Sequence, residues 1–245
     1  MSNWLEGRVL ENRAWTETLF SLRVESPRLG FEAGQFVRLA LDPGGERIAR
    51  PFSFVNAPAD PVLEFYGVIV PEGPLSPHLA RLKTGDKLWI ADNPSGFLVL
   101  SEVPPAEDLW LVATGTGIAP FLSILRTEAP WRRYHRVILV HAARRASELV
   151  YKDLILELQS SRKQFGYVSF VSREPHPQSL AGRIPDAIRD GRLEALGQPI
   201  SPERSQFMLC GNPAMLKDVA AELVLRGLRK NRRRAPGQIT VESFW

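Results

Sequence analysis

The hydrophobic rhythm of this 245-residue chain changes once, near residue 101, and that change constrains the fold more than any other feature. Before it, apolar and polar residues alternate in short runs: Leu19-Phe20-Ser21-Leu22-Arg23-Val24, Gln35-Phe36-Val37-Arg38-Leu39-Ala40-Leu41, residues 63–70 and Lys87-Leu88-Trp89-Ile90. Successive side chains on a strand point to opposite faces, so alternation of this kind marks half-buried strands. Turn signals at Ser26-Pro27, Pro43-Gly44-Gly45, Asn56-Ala57-Pro58 and Thr84-Gly85-Asp86 separate the runs. Short strands spaced in this way predict an antiparallel barrel or sandwich, with one short helix over 76–81.

After the connector Glu102-Val103-Pro104-Pro105-Ala106-Glu107-Asp108 the rhythm becomes strand, helix, strand, helix. Apolar runs predict strands over 109–113, 137–141, 167–171 and 207–210, and amphipathic stretches predict helices over 118–126, 147–160 and 213–229. Continuous apolar strands joined by helices imply a parallel sheet covered on both faces. The expected fold is therefore an antiparallel β-barrel followed by a parallel-sheet α/β domain, divided as 1–101 and 102–245. Ligands of such parallel sheets bind beyond the carboxyl ends of the strands, where Gly115, Arg144, Arg173 and Cys210 converge.

Composition narrows the function classes. With 44% hydrophobic and 24% charged residues the chain can bury two modest cores and is not disordered. No apolar run approaches the roughly 20 residues that span a bilayer, and the first residues lack a signal-peptide pattern, so a cytoplasmic location without membrane attachment is expected. Cys210 is the only cysteine, which excludes an intramolecular disulfide, a thiolate zinc site and a Cys-ligated iron-sulfur cluster. The four histidines show no metal-ligand spacing, and Asn56, His78 and His141 read as structural.

Three segments carry the chemistry. Arg50-Pro51-Phe52-Ser53 offers a guanidinium, a flat ring and a hydroxyl within four residues, a set that suits a ligand combining a pyrophosphate, an aromatic system and a ring nitrogen, such as FAD. The same run also fits a strand with an exposed arginine. Gly115-Thr116-Gly117-Ile118-Ala119-Pro120 follows an apolar strand and opens a helix, so bare backbone amides face a phosphate there. The third is Cys210-Gly211-Asn212-Pro213, a turn closing another apolar strand.

In order and spacing the three resemble the fingerprints of the plant-type ferredoxin-NADP reductase family. Glu64-Phe65-Tyr66, Val68-Ile69-Val70, Gly73-Pro74-Leu75-Ser76-Pro77, His141-Ala142-Ala143-Arg144, Val171-Ser172-Arg173-Glu174, Gly182-Arg183-Ile184-Pro185 and the terminal Phe244-Trp245 are similar to its bacterial branch. The resemblance implies an FAD-dependent enzyme that moves a hydride between NADPH and flavin N5 and single electrons to or from ferredoxin or flavodoxin. It assigns the FAD pyrophosphate to Arg50, the isoalloxazine face to Phe52, flavin N5 to Ser53, and further FAD contacts to Pro51, Tyr66, Val68, Leu75, Ser76 and Thr116. Many relatives carry Tyr where this chain has Phe52, so a phenolic hydrogen bond is lost. Phe244 is expected to cover the flavin and Trp245 the adenine, the tail returning to the FAD.

For the nucleotide the resemblance implies Gly115, Thr116, Gly117, Cys210 and Gly211, with Cys210 lining the nicotinamide pocket and Glu242 supplying a carboxylate near the flavin edge. A carboxylate at the end of the second strand would favour NAD; this chain has Arg144 there, followed by Arg173 and Arg183, which favours NADP. The basic block Arg229, Lys230, Arg232, Arg233 and Arg234 reads either as a solvated helix end or as a docking surface for an acidic redox carrier. It is short and lacks interleaved aromatics, which disfavours nucleic acid. Rival readings are the reductase component of an oxygenase, a free flavin reductase, and a non-enzymatic flavin-binding electron-transfer or sensor subunit. A monomer is expected.

Overall fold

The computed structural model describes residues 3–196 and 199–243. The chain divides into two compact units. One runs to Val99 and takes in Ala119–Thr127; the other comprises Leu100–Ile118 and the chain from Glu128 onward.

The first unit is built from β1 (Trp4–Ala14), β2 (Leu19–Glu25), β3 (Phe36–Leu41), β4 (Ile48–Ser53), β5 (Leu63–Val68), the single-turn helix α1 (Ser76–Leu79) and β6 (Lys87–Ala91). The strands form one antiparallel sheet in the order β4-β3-β6-β1-β2-β5. Just past β4, Phe54 bridges Phe65 of β5, and the Val55 N–H donates to the Glu64 carbonyl at 2.8 Å, so the sheet curls until its two edges meet. Closure protects backbone groups that an open edge would leave unpaired. Alternation sets the interior: Val37 and Leu39 of β3 point into a core shared with Phe20, Leu22, Phe65 and Ile90, while Arg38 points out.

Helix α2 (Ala119–Leu125) is buried along its whole length, as its composition, apolar at every position but Ser123, requires. It groups with the barrel: the Ser123 hydroxyl donates to the Asn56 carbonyl at 2.7 Å, and the Arg126 guanidinium meets Glu64 at 2.9 Å.

The second unit contains β7 (Asp108–Thr114), α3 (Ala129–Arg133), β8 (Arg136–Ala143), α4 (Lys152–Ser161), β9 (Phe165–Val171), β10 (Leu180–Ala181), α5 (Ile184–Arg189), β11 (Ser205–Gly211), α6 (Pro213–Leu225) and β12 (Ile239–Ser243). Its six strands are parallel, in the order β10-β9-β8-β7-β11-β12. Trp110 stacks on Phe207 with centroids 5.4 Å apart, and α5 and α6 cover that face with Ile184, Ile188, Leu216 and Leu223.

In the second unit the predicted strands are present two or three residues longer than their apolar runs, because polar end residues such as Asp108 and Ser205 still join the ladder, while β3 and β5 are one and two residues shorter than predicted. All four predicted helices are shorter, those over 147–160 and 213–229 most. Residues 146–148 form a separate 3-10 turn and Tyr151 adopts a left-handed φ of 59°, so α4 begins only at Lys152. Gly227, at φ 87°, closes the turn after α6 well before residue 229. Helices α3 and α5 and strands β10 and β12 were not predicted.

Candidate functional site

In the barrel unit, Arg50, Phe52 and Ser53 lie within the last four positions of β4, opposite Leu39, Val37 and Phe36 of β3. Arg50 is exposed; its guanidinium donates to the neighbouring Ala49 carbonyl at 2.7 Å and joins no ion pair among the described residues. Phe52 is half-buried over Gly67 of β5, where a Cβ would lie 2.8 Å from its ring. Only glycine lets that ring settle on the strand. The Ser53 side chain is 3% exposed, yet its hydroxyl has no hydrogen-bond partner among the described residues. A buried hydroxyl in that state costs about 1–3 kcal/mol, which a ligand atom bonded to it would recover.

The other barrel residues singled out from the sequence lie on β5 and in the segment that follows it. Tyr66 and Leu75 are buried and Val68 is half-buried. The Ser76 hydroxyl accepts the Val70 N–H at 2.9 Å, which shapes the loop after β5. A guanidinium that joins no ion pair among the described residues, a flat ring on a glycine floor and an orphaned buried hydroxyl fit a flavin nucleotide.

In the other unit, the carboxyl ends of the parallel strands gather the nucleotide candidates. Beyond β7, Gly115–Ile118 form a 3-10 turn in which Gly115 has a φ of 51°. A Cβ on Gly117 would lie 2.4 Å from the Cys210 carbonyl oxygen, and one on Gly211, at φ 133°, would lie 2.3 Å from the Thr114 hydroxyl. The Asn212 N–H donates to that hydroxyl at 2.9 Å. The turns after β7 and β11 therefore interlock through their backbones. Asn212 also caps α6, accepting from the N–H groups of Ala214 and Met215 at 3.0 and 3.3 Å.

Arg144 is the first residue beyond β8, and Arg173 and Arg183 are the second beyond β9 and β10. These three strands are neighbours, about 4.8 Å apart in a sheet. The Arg173 N–H donates to the Arg144 carbonyl at 2.9 Å and ties two of the loops together. The nearby acids are engaged elsewhere: Glu148 accepts the Arg144 N–H and Glu174 accepts the Ala146 N–H, each at 2.8 Å. All three guanidinium groups are exposed and join no ion pair among the described residues, whereas Arg126, Arg189, Arg204 and Arg226 each rest on a carboxylate. Three uncompensated guanidinium groups at the ends of adjacent strands offer charge and bidentate donors that suit a phosphate.

Cys210 is fully buried on β11 and registered against Glu242 of β12. Burial, and secondarily the Glu242 carboxylate, hold its thiol well above the ordinary range, so the thiol is neutral. His141, read from the sequence as structural, sits on β8 with its Nε2 3.3 Å from the Gly115 carbonyl, in direct contact with the turn. A polar residue inside an apolar strand, three positions before Arg144, was the signal for it. No group of His, Cys, Asp and Glu able to hold a metal occurs among the described residues. Phe244 and Trp245 lie outside the described residues.

The basic block divides. Arg233 pairs with Glu102 at 3.2 Å, and Arg226, just before the block, pairs with Glu194. Lys230 and Arg232 join Lys217 around a groove of about 350 Å³ between α6 and β12, floored by Leu216, Ala220 and Ile239. These three cations join no ion pair among the described residues.

Residues 10–97 match the family model of the oxidoreductase FAD-binding domain, and residues 111–221 that of the oxidoreductase NAD-binding domain. The chain is similar over its whole length to flavodoxin/ferredoxin-NADP reductases of Shigella flexneri and Escherichia coli, at 47% and 46% identity with each relative fully covered. A crystal structure of a ferredoxin NADP+ reductase from Neisseria gonorrhoeae with bound FAD and NADP matches with a TM-score of 0.95 at 33% identity, all of both chains being covered. The Amycolatopsis cytochrome P450 reductase GcoB matches at a TM-score of 0.81 and 28% identity, over 99% of this chain and 70% of that one. Identity of 47% and 46% to these reductases over the full length of both chains shows that the chain belongs to the flavodoxin/ferredoxin-NADP reductase family.

Proposed function

We propose that this protein is an FAD-dependent oxidoreductase that moves electrons between NADPH and a one-electron carrier, ferredoxin or flavodoxin, the carriers named for its relatives. The observation that carries the reading is the cluster Arg144, Arg173 and Arg183, three uncompensated cations at the ends of adjacent strands, which select a nucleotide bearing a 2'-phosphate. Bound FAD supplies the chemistry that accepts two electrons as hydride and passes them on singly.

The chain's own residues orient that chemistry. Arg50 holds the pyrophosphate, Phe52 packs on the ring, and the orphaned Ser53 hydroxyl bonds at flavin N5. Pro51, Tyr66, Val68, Leu75, Ser76 and Thr116 complete the cradle, with Phe244 and Trp245 closing over the cofactor. Gly115, Thr116, Gly117 and Gly211 bring backbone amides to the nucleotide, Cys210 lines the nicotinamide pocket as a neutral thiol, and Glu242 places a carboxylate beside it. Residues 1–101 form the FAD-binding domain and 102–245 the NADP-binding domain.

The groove cations Lys217, Lys230 and Arg232 support docking of an acidic carrier, since uncompensated basic surfaces accelerate encounter with acidic partners. The protein acts as a cytoplasmic monomer in this reading; no helix among the described residues is long and apolar enough to cross a membrane. The test is steady-state reduction of a panel of ferredoxins and flavodoxins by the purified flavoprotein with NADPH. Protein that takes up no FAD, or that oxidises no NADPH with any carrier, overturns the reading.

A further inference from the structure

The carbonyl of Gly115 and the N–H of Thr116 belong to one planar trans peptide and point in opposite directions. Whatever fixes the carbonyl therefore also aims the N–H. His141 meets that carbonyl, its Nε2 3.3 Å from the oxygen. A carbonyl oxygen only accepts, so Nε2 carries the hydrogen and Nδ1 is the bare lone pair; among the described residues Nδ1 has no partner. The ring is fully buried, and burial lowers its pKa to about 4, so the neutral form with hydrogen on Nε2 persists across physiological pH.

We propose that His141 is a positioning residue that locks the Gly115–Thr116 peptide with its carbonyl turned into the protein and the Thr116 N–H turned out toward the nucleotide phosphates. The proposal rests on the reading of this turn as part of the NADP site. The lock is needed because Gly115 lacks a Cβ and adopts positive φ at no steric cost, so this peptide flips more cheaply than one following any other residue. A flipped peptide presents an acceptor to an anion. On the other flank of β7, Gly117 abuts the Cys210 carbonyl, which excludes a side chain but does not hold the Gly115–Thr116 peptide. The 3-10 turn favours this direction of the Gly115 carbonyl, and His141 on β8, paired in register with Ala113, holds it there from the neighbouring strand.

Equilibrium binding of NADP+ and of adenosine 2'-monophosphate to the FAD-loaded protein tests this. The second ligand carries the 2'-phosphate assigned to the arginines but no 5'-phosphate. His141→Leu, which keeps bulk and removes the donor, weakens NADP+ about tenfold, the loss of one hydrogen bond to a charged group, and leaves binding of the monophosphate and FAD content unchanged. His141→Gln, whose amide nitrogen reaches the place of Nε2, keeps NADP+ affinity, while His141→Asn, which reaches only the place of Nδ1, behaves as the leucine variant. Should His141→Leu fail to fold, the Gln and Asn pair makes the same comparison. Wild-type NADP+ affinity in His141→Leu, Gln as weak as Asn, or equal weakening of both ligands overturns the proposal. Wild-type protein that binds neither ligand overturns the nucleotide reading itself, and the proposal with it.

Discussion

Gly117 lies so close to Cys210 that a Cβ on the glycine would stand 2.4 Å from the cysteine's carbonyl oxygen. Because the obstacle is backbone on the central part of a sheet, it has no flexible end to give way. Gly117→Ala therefore pushes the turn away from β11 and costs about 1–3 kcal/mol of stability. Urea unfolding monitors the loss. NADPH KM rises in the same variant while FAD content stays at the wild-type level, and unchanged KM and stability together would show that the turn tolerates the shift.

Selectivity for NADPH over NADH is expected to follow the three uncompensated arginines. Replacing Arg144, Arg173 or Arg183 by Ala raises the NADPH KM about tenfold or more, roughly 1.5–3 kcal/mol for a hydrogen bond to a charged group, with little effect on NADH. Steady-state kinetics with both nucleotides decides it. Equal losses with the two would assign these residues to the loops' structure instead of the 2'-phosphate.

Arg50 and Ser53 have separable roles. Arg50→Ala removes a charge-assisted contact and weakens FAD retention by about tenfold or more. Ser53→Ala removes the orphaned hydroxyl, retains FAD, and slows hydride transfer in stopped-flow measurements. Loss of FAD in both variants with unaltered hydride transfer contradicts the division.

Burial of His141 makes stability depend on pH in a defined window. Its folded pKa is lowered to about 4, against 6.5 for the solvent-exposed side chain of the unfolded state, so between these values the unfolded state binds more protons. The contribution is complete above pH 6.5 and is lost as pH falls through the window to about 4, amounting to about 2 kcal/mol between pH 7 and pH 5. Urea unfolding at the two pH values, compared between wild type and His141→Gln, measures it. An identical pH dependence in the two proteins would show that the imidazole is protonated in the folded state as readily as in the unfolded one.

The barrel strands were legible because alternation is a local property: Val37, Arg38 and Leu39 carry their facing in their own order, and closure of the sheet only selects which face is interior. The same holds for the short apolar strands of the second unit and for the glycine turn after β7. Arg50, Phe52 and Ser53 were legible as a chemical set, since guanidinium, ring and hydroxyl stand within four residues.

Other features depend on partners distant in the chain. Strand β12 carries only five residues and follows a basic stretch that reads as polar tail; it forms because β11 offers Phe207 through Gly211 as a parallel template for Ile239 through Ser243. Helix α2 follows the nucleotide turn in sequence but groups with the barrel through Ser123 and Arg126. Sequence by itself determined the strand periodicities, the order of the two halves and the residue types available to each site. Tertiary structure alone decided that Arg144, Arg173 and Arg183 stand uncompensated while Arg226 and Arg233 are neutralised, and that His141 is buried against Gly115, because ion pairing and burial are set by whichever residues the fold brings alongside.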